Sequence, residues 1–353
     1  MFLAFKEIRH EKLRYGLIIS MIVLIAYLVF ILTSLAQGLA EENTAAIQTW
    51  NGQRIVLNQN ADINLSQSLI TKKASQQQKI TQQEAYLGQA AVVAKKAGHA
   101  KISAQFIGIK NHQFIAKNLN LTQGKLPQTP QQIVVDQSFK DQGYHLNDQL
   151  QLNSQTAPFK IVGFTKNAKL NIAPVIYGQL TAWKKLKNLT GDFQASAIIS
   201  KKASYQATAK GLTAYPISKF ISELPGYAAQ NATFSLMIGF LMVIALIVIA
   251  VFLYILTIQK ARNYAVLRAQ GVPAGFLIKA TLAQAGLLVI VGICLAGVLT
   301  GLTAWLTPAN VPMSFQPAVL GSLAAGLVVT AMLGALIPIW TIIKIDPVSV
   351  IGG

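Results

Sequence analysis

The chain has 353 residues, 53% of them hydrophobic and only 12% charged, with a mean hydropathy of +0.45, which is too apolar for an ordinary soluble domain. A net charge of +18 raises nucleic acid as a partner, but the basic residues are scattered and no helix-turn-helix, zinc-finger or aromatic RNA-binding pattern accompanies them, which excludes that class. The single cysteine, Cys294, lies inside an apolar run, so no intrachain disulfide can staple the polar part of the chain.

In chain order, residues 1–15 alternate Phe2, Phe5, Ile8 and Leu13 with Lys6, Arg9, Lys12 and Arg14, the pattern of an amphipathic helix on a membrane surface. The alternative is the charged start of a cleaved signal peptide, but the apolar run that follows exceeds the usual core of such a signal. Four runs are each long enough to cross a bilayer: about Leu17–Leu35, Phe234–Ile258, Phe276–Leu306 and Val319–Ile343. The expected spans are residues 16–39, 232–258, 276–306 and 318–343. Between the first two lies a polar block, residues 40–231, large enough to bury a core of its own. The fold class expected is therefore an α+β integral membrane protein, four transmembrane helices with a large mixed α/β extracytoplasmic domain between helices 1 and 2.

Orientation follows from the short connections. Lys6, Arg9, Lys12 and Arg14 precede the first span, Lys260, Arg262, Arg268 and Lys279 surround the turn from the second to the third, and Lys344 follows the fourth. The turn 307–317 carries no charge. The positive-inside rule then places both termini and residues 259–275 in the cytosol, leaves the tail 344–353 there, and puts residues 40–231 outside a multi-pass cell-membrane protein. A basic outer domain fits beside anionic lipid or a cell-wall polymer.

Inside the polar block, short apolar runs bounded by polar or Gly/Pro breaks predict strands at 54–57, 91–94, 104–109, 132–135, 159–164, 174–177 and 196–200. Residues 65–85, rich in Gln, Ser and Lys, read as a helix or a mobile insertion. The strand-dense half, 131–180, is expected to form one subdomain near the membrane, with 65–125 forming a second, distal one. Spans three and four are rich in glycine, and Gly297 with Gly301 forms a small-xxx-small pair of the kind that lets helices approach closely.

Several chemistries have no starting point. There is no G-x-x-x-x-G-K-[ST] loop, no H-E-x-x-H, no C-x-x-C and no G-x-S-x-G. His10, His99, His112 and His145 are isolated and read as surface or structural residues, so no catalytic residue and no metal site is expected. No span carries an ionisable residue near its middle, as ion-coupled carriers usually do. These absences favour a permease powered by a separate subunit.

The order of parts, a basic amphipathic helix, one span, a large outer domain and three spans with a basic inner turn, resembles the permease subunits of the MacB/FtsX-like (type VII) group of ABC transporters. Its most specific segment is Lys260–Gly271, where Leu267, Arg268, Ala269 and Gly271 match the group's inner-turn motif, while Asn263 replaces its usual Glu. The stretch Lys344-Ile-Asp-Pro347-Val-Ser-Val-Ile also resembles the group's C-terminal end, and Ile133-Val-Val-Asp with Phe159-Lys-Ile-Val-Gly-Phe resembles its β subdomain. The opening Phe5-Lys-Glu-Ile-Arg-His and the later Leu35-Ala-Gln-Gly-Leu-Ala-Glu-Glu-Asn look most like the haem-exporting HrtB-type branch.

The resemblance implies a homodimeric permease, not itself an enzyme, bound to two copies of an ABC ATPase and surrounded by membrane lipids. It would hold no permanent cofactor and would expel haem or a similar amphipathic toxic compound by mechanotransmission. Lys260, Arg262, Tyr264, Leu267, Arg268 and Gly271 are the expected ATPase-coupling residues, with the basic members also readable as positive-inside residues alone. Gln37, Glu41, Glu42, Tyr227 and Met237 are the expected substrate-binding residues, since a carboxylate, phenolate or thioether can ligate haem iron. The same Glu41 and Glu42 also read as solvated helix-end residues, and Tyr227 as an interfacial anchor. Two other functions stay open: an FtsX-like signalling permease that regulates a cell-wall hydrolase, and an antimicrobial-peptide resistance permease.

Overall fold

The computed structural model describes residues 12–155, 157–308 and 311–343. The expected surface helix, residues 1–15, and the tail 344–353 fall almost wholly outside them. The chain divides into two compact units, Met1–Gly38 with Ala232–Gly353, and Leu39–Asn231.

The first unit is helical. Its elements are α1 (Lys12–Trp50, whose last turns belong to the second unit), α2 (Tyr227–Gln259), α3 (Ala261–Ala269), α4 (Ala274–Leu306), α5 (Pro317–Gly334) and α6 (Leu336–Ile343). Four stretches are long and apolar enough to cross a membrane: Leu13–Trp50, Tyr227–Gln259, Ala274–Leu306 and Pro317–Ile343. At 39 residues, α1 is about 58 Å long, roughly twice the hydrocarbon thickness of about 30 Å. It therefore runs well past the 16–39 span expected from hydropathy. The last span is broken at Ala335, because Pro338 has no N–H to give the carbonyl four residues back.

The helices bury Tyr15, Ile18 and Ile22 of α1 against Leu253 and Leu256 of α2, Leu288 of α4 and Ala331 of α5. Close approach is made by glycines other than the expected pair. A Cβ on Gly292 would stand 2.5 Å from the Ile22 side chain, and one on Gly334 would stand 3.2 Å from the Leu246 carbonyl oxygen, whereas Gly297 and Gly301 have nothing within 4 Å. Among the described residues Gly292 and Gly334 are thus points of close helix approach, and the Gly297/Gly301 pair is on an exposed face.

The inserted unit is a mixed sheet. Its strands are β1 (Arg54–Asn58), β2 (Ile70–Thr71), β3 (Glu84–Lys95), β4 (Ile102–Ile109), β5 (Leu121–Gly124), β6 (Gln132–Asp136), β7 (Gln149–Leu152), β8 (Phe159–Thr165), β9 (Lys169–Leu170), β10 (Ala173–Gln179), β11 (Phe193–Ala195), β12 (Ala197–Ser200) and β13 (Leu212–Pro216). The main path runs β13-β1-β12-β3-β4-β10-β6-β8-β5, with β2 and β11 forming a separate pair. Pairings β4 to β10 and β6 to β8 are parallel, and the other neighbours on the path are antiparallel.

Central strands are apolar on both faces, and the period of two sorts their side chains into two cores. Val56, Phe106, Ile133, Ile176 and Ile198 join one core, while Leu57, Ile107, Val134, Tyr177 and Ile199, one residue further on, join the other. All seven predicted strands coincide with strands of this sheet. The predicted division into two subdomains does not occur, because β10 of the strand-dense half pairs in parallel with β4 of the other half and one sheet runs through both. Residues 65–85 are neither a long helix nor an insertion: they hold β2, a short helix Lys72–Gln76 capped by the Thr71 hydroxyl, and the start of β3.

A tryptophan locks the centre. Gly88 and Gly108 stand opposite each other on β3 and β4, and the clearing they leave is filled by Trp183, fully buried, whose indole N–H donates to the Gln89 carbonyl at 2.9 Å. A Cβ at Gly88 would lie 2.4 Å from the indole. Gly88→Val should therefore destabilise the inserted domain by about 2–3 kcal/mol, read as a lowered midpoint in denaturant unfolding, with the neighbouring Ala91→Val as a comparison that meets no indole.

Candidate functional site

Two regions gather the residues singled out in the sequence. The first is the end of α1 inside the inserted domain. Here Lys169 of β9 donates to the Glu42 carboxylate, with the two side chains 24% and 18% exposed. The turn that follows Lys169 docks on the same helix, the Asn171 N–H donating to the Asn43 carbonyl at 3.2 Å and the Ile172 N–H to the Glu42 carbonyl at 3.3 Å. About two turns further along α1, the Thr49 hydroxyl donates to the Asn167 carbonyl at 3.1 Å.

This loop is held from behind by Asp136, at the end of β6. Its carboxylate accepts from the Ser138 N–H at 3.0 Å and the Ala168 N–H at 3.3 Å. Burial pushes the Asp136 carboxyl above its usual range, and those donors only partly offset the effect. Asn167, Asn171 and Ile172 all have positive φ, and for the β-branched Ile172, at +65°, that conformation is strained. The helix end is then closed by Trp50, whose indole N–H donates to the Tyr177 hydroxyl at 3.3 Å and whose carbonyl accepts from the Asn118 amide at 3.2 Å. Burial raises the pKa of the Tyr177 phenol, so it stays a neutral hydrogen-bonding group. The Asn43 amide also donates to Gln230 at the start of α2, at 3.4 Å.

The expected substrate residues are thus distributed. Glu41, Glu42 and Tyr227 belong to the inserted unit, Gln37 and Met237 to the helical one. Glu41 and Tyr227 are half-buried, and Met237 is exposed. Glu42 is ion-paired with Lys169. Among the described residues no cluster of His, Cys, Asp or Glu could hold a metal ion.

The second region is the connection Lys260–Gly271. The helix α3 ends in a Schellman turn: Gly271 takes φ +90°, the Val272 N–H reaches the Leu267 carbonyl and the Gly271 N–H the Arg268 carbonyl, both at 3.0 Å. Pro273 then starts α4. Lys260, expected on a docking surface, points inward at 9% exposure and donates to the Tyr15 hydroxyl at 3.0 Å, which also accepts from the Gln284 amide. Tyr264 and Leu267 are half-buried, while Arg262, Asn263 and Val266 are exposed. Arg268 donates to the Ile343 carbonyl at 3.5 Å.

Sequence reasoning missed Lys169, Asp136, Tyr15 and Gln284. Gln284 did leave a signal, as a polar side chain inside an apolar run. Lys169 left none, being one lysine of many.

Residues 235–347 match the FtsX-like permease C-terminal family. Along its whole length the chain is similar to proteins bearing the name hemin transport system permease protein HrtB: 25% identical to one from Staphylococcus epidermidis and 26% identical to one from Staphylococcus haemolyticus, each covering 99% of this chain and 99% of the relative. Among solved structures, the periplasmic region of MacB from Actinobacillus actinomycetemcomitans matches at 16% identity with a TM-score of 0.36, over 49% of this chain and 92% of that one.

The loop and helix end make a test of local energetics. Lys169→Met leaves the Glu42 carboxylate without its charged donor and should cost the inserted domain about 1–3 kcal/mol. Glu42→Gln, whose amide oxygen still accepts, should cost less, both measured by denaturant unfolding of the purified protein.

Proposed function

We propose that this chain, an FtsX-like permease in its C-terminal part, is the membrane subunit of an ATP-driven efflux transporter that expels haem or a similar amphipathic toxic compound from the membrane. The observation that carries the reading is the similarity to proteins named hemin transport permeases across 99% of both chains, which takes in the inserted domain as well as the permease region. In this reading two copies of the chain pair in the membrane with both termini and residues 259–275 in the cytosol, and two copies of a separate ATPase supply the energy.

The ATPase pair docks on α3 through its exposed Arg262 and Val266, with Tyr264 and Leu267 shaping the groove-facing side and Arg268 and Gly271 fixing the helix end. Lys260 takes a different part, tying the start of α3 to Tyr15 of α1 and, through that hydroxyl, to Gln284 of α4. A push on α3 then reaches α1 and α4 as well as α2. This is mechanotransmission: the motion of the ATPases becomes a motion of the spans.

Glu41 and Tyr227 are proposed to meet the haem propionates or iron from the inserted domain, and Gln37 and Met237 carry the same proposal on the helical unit. Glu42 is assigned to the docked loop instead, because its carboxylate is already neutralised by Lys169. Haem is the cargo here and no cofactor is retained. Titrating haem into the purified permease should shift the Soret band, and Glu41→Gln with Tyr227→Phe should weaken that binding at least tenfold. No shift with the wild type removes haem as the substrate, while a shift undiminished in the double variant removes these two residues.

A further inference from the structure

The inserted domain has a cleft that the transport reading does not use. Its volume is about 390 Å³, within the usual range for small-molecule sites. The end of β4, Ile109, and the start of the short helix Leu180–Leu186 supply an apolar floor. Lys110, just after β4, and Lys184 of the helix enter the cleft, and Asn111, His112, Gln179, Thr181 and Gln194 complete the polar wall, with no Asp or Glu among the lining residues.

The charges are arranged at a cost. Lys110 stands over the Tyr86 ring, 4.5 Å from its centroid, and burial together with the nearby Lys184 pushes its ammonium below the usual lysine value. Both lysines are half-buried, and among the described residues neither has a carboxylate within ion-pair distance. Elsewhere in this domain the partly buried lysines that are ion-paired, Lys96 and Lys169, have Asp148 and Glu42. Two like charges converging on one apolar-floored cleft repel each other unless an anion lies between them.

We propose that this cleft is a binding site for a phosphate-bearing ligand. Lysines act as point charges that suit the near-double charge of a phosphate monoester, whereas a planar carboxylate is better matched by the fork of an arginine, and no arginine lines the cleft. The Gln194 amide and the Thr181 hydroxyl offer further donors to the phosphate oxygens, and Ile109 with Leu180 accepts a short carbon chain attached to the phosphate. The phosphate comes either from a soluble ester or from a lipid headgroup.

The test uses the full-length protein in zwitterionic nanodiscs and glycerol 3-phosphate as the probe, titrated by calorimetry. Saturable binding is expected, with glycerol giving none, and Lys110→Gln with Lys184→Gln should lower the affinity at least tenfold while the melting transition is retained. Lys101→Gln with Lys125→Gln, which removes two exposed lysines outside the cleft, should leave it within twofold. Repeating the titration in phosphatidylglycerol nanodiscs assigns the source: weakened apparent affinity supports a headgroup reaching the cleft, and unchanged affinity supports a soluble ester. Absence of binding, or equal losses in the two double variants, overturns the proposal. Because no haem is present, the outcome is independent of the transport reading.

Discussion

The pairing of β1 with β13 is the constraint on which the inserted domain depends. These strands are the first and last of its main sheet, and their antiparallel register, Arg54 opposite Pro216 through Asn58 opposite Leu212, brings the chain's entry and exit onto neighbouring strands. The pairing is extended by the Ile217 N–H, which donates to the Gln53 carbonyl at 3.0 Å, while the Gln53 N–H donates to Ser200 of β12 on the other side at 2.8 Å. A domain of this size inserted between two spans needs its ends close together, and a two-strand ladder satisfies that need with hydrogen bonds that the edge would otherwise leave open. The end of α1, from Trp50 back to Glu42, is held within the same domain by Tyr177 of β10, Asn118 and Lys169 of β9.

The docked loop shows where the domain concentrates its polar interactions. Asp136 is buried and raised in pKa, Lys169 is drawn to Glu42, and Ile172 holds a conformation unusual for its type. The burial of Asp136 and the backbone of Ile172 are locally unfavourable, and the Lys169–Glu42 pair is favourable. Together they fix one helix end to one sheet end.

Much of the architecture was legible because membrane spans and two-faced strands leave strong periodic signals. The four spans follow from apolar length alone, and all seven predicted strands are apolar runs that the sheet buries. What escaped were short or polar pieces. β5 is fully exposed and β7 alternates buried with exposed, so neither forms an apolar run, and β3 was predicted at a third of its length because Gly88 and Gln89 interrupt it. The division into subdomains failed for a different reason: the pairing of β4 with β10 joins residues 70 positions apart, as Gln105 with Val175, and no local pattern encodes it. The same limit applies to the site. The Glu42–Lys169 pair and the contact of Lys260 with Tyr15 are long-range, so a sequence reading places these charges on surfaces by default.

In the function proposed above, ATP-driven motion of the chain removes haem from a bilayer. The direct measurement is haem transfer from liposomes containing the permease and its ATPase to an apo-protein acceptor in the outer solution. Transfer that depends on ATP and stops when hydrolysis is blocked is the expected result. Normal hydrolysis with all the haem remaining in the bilayer would contradict it.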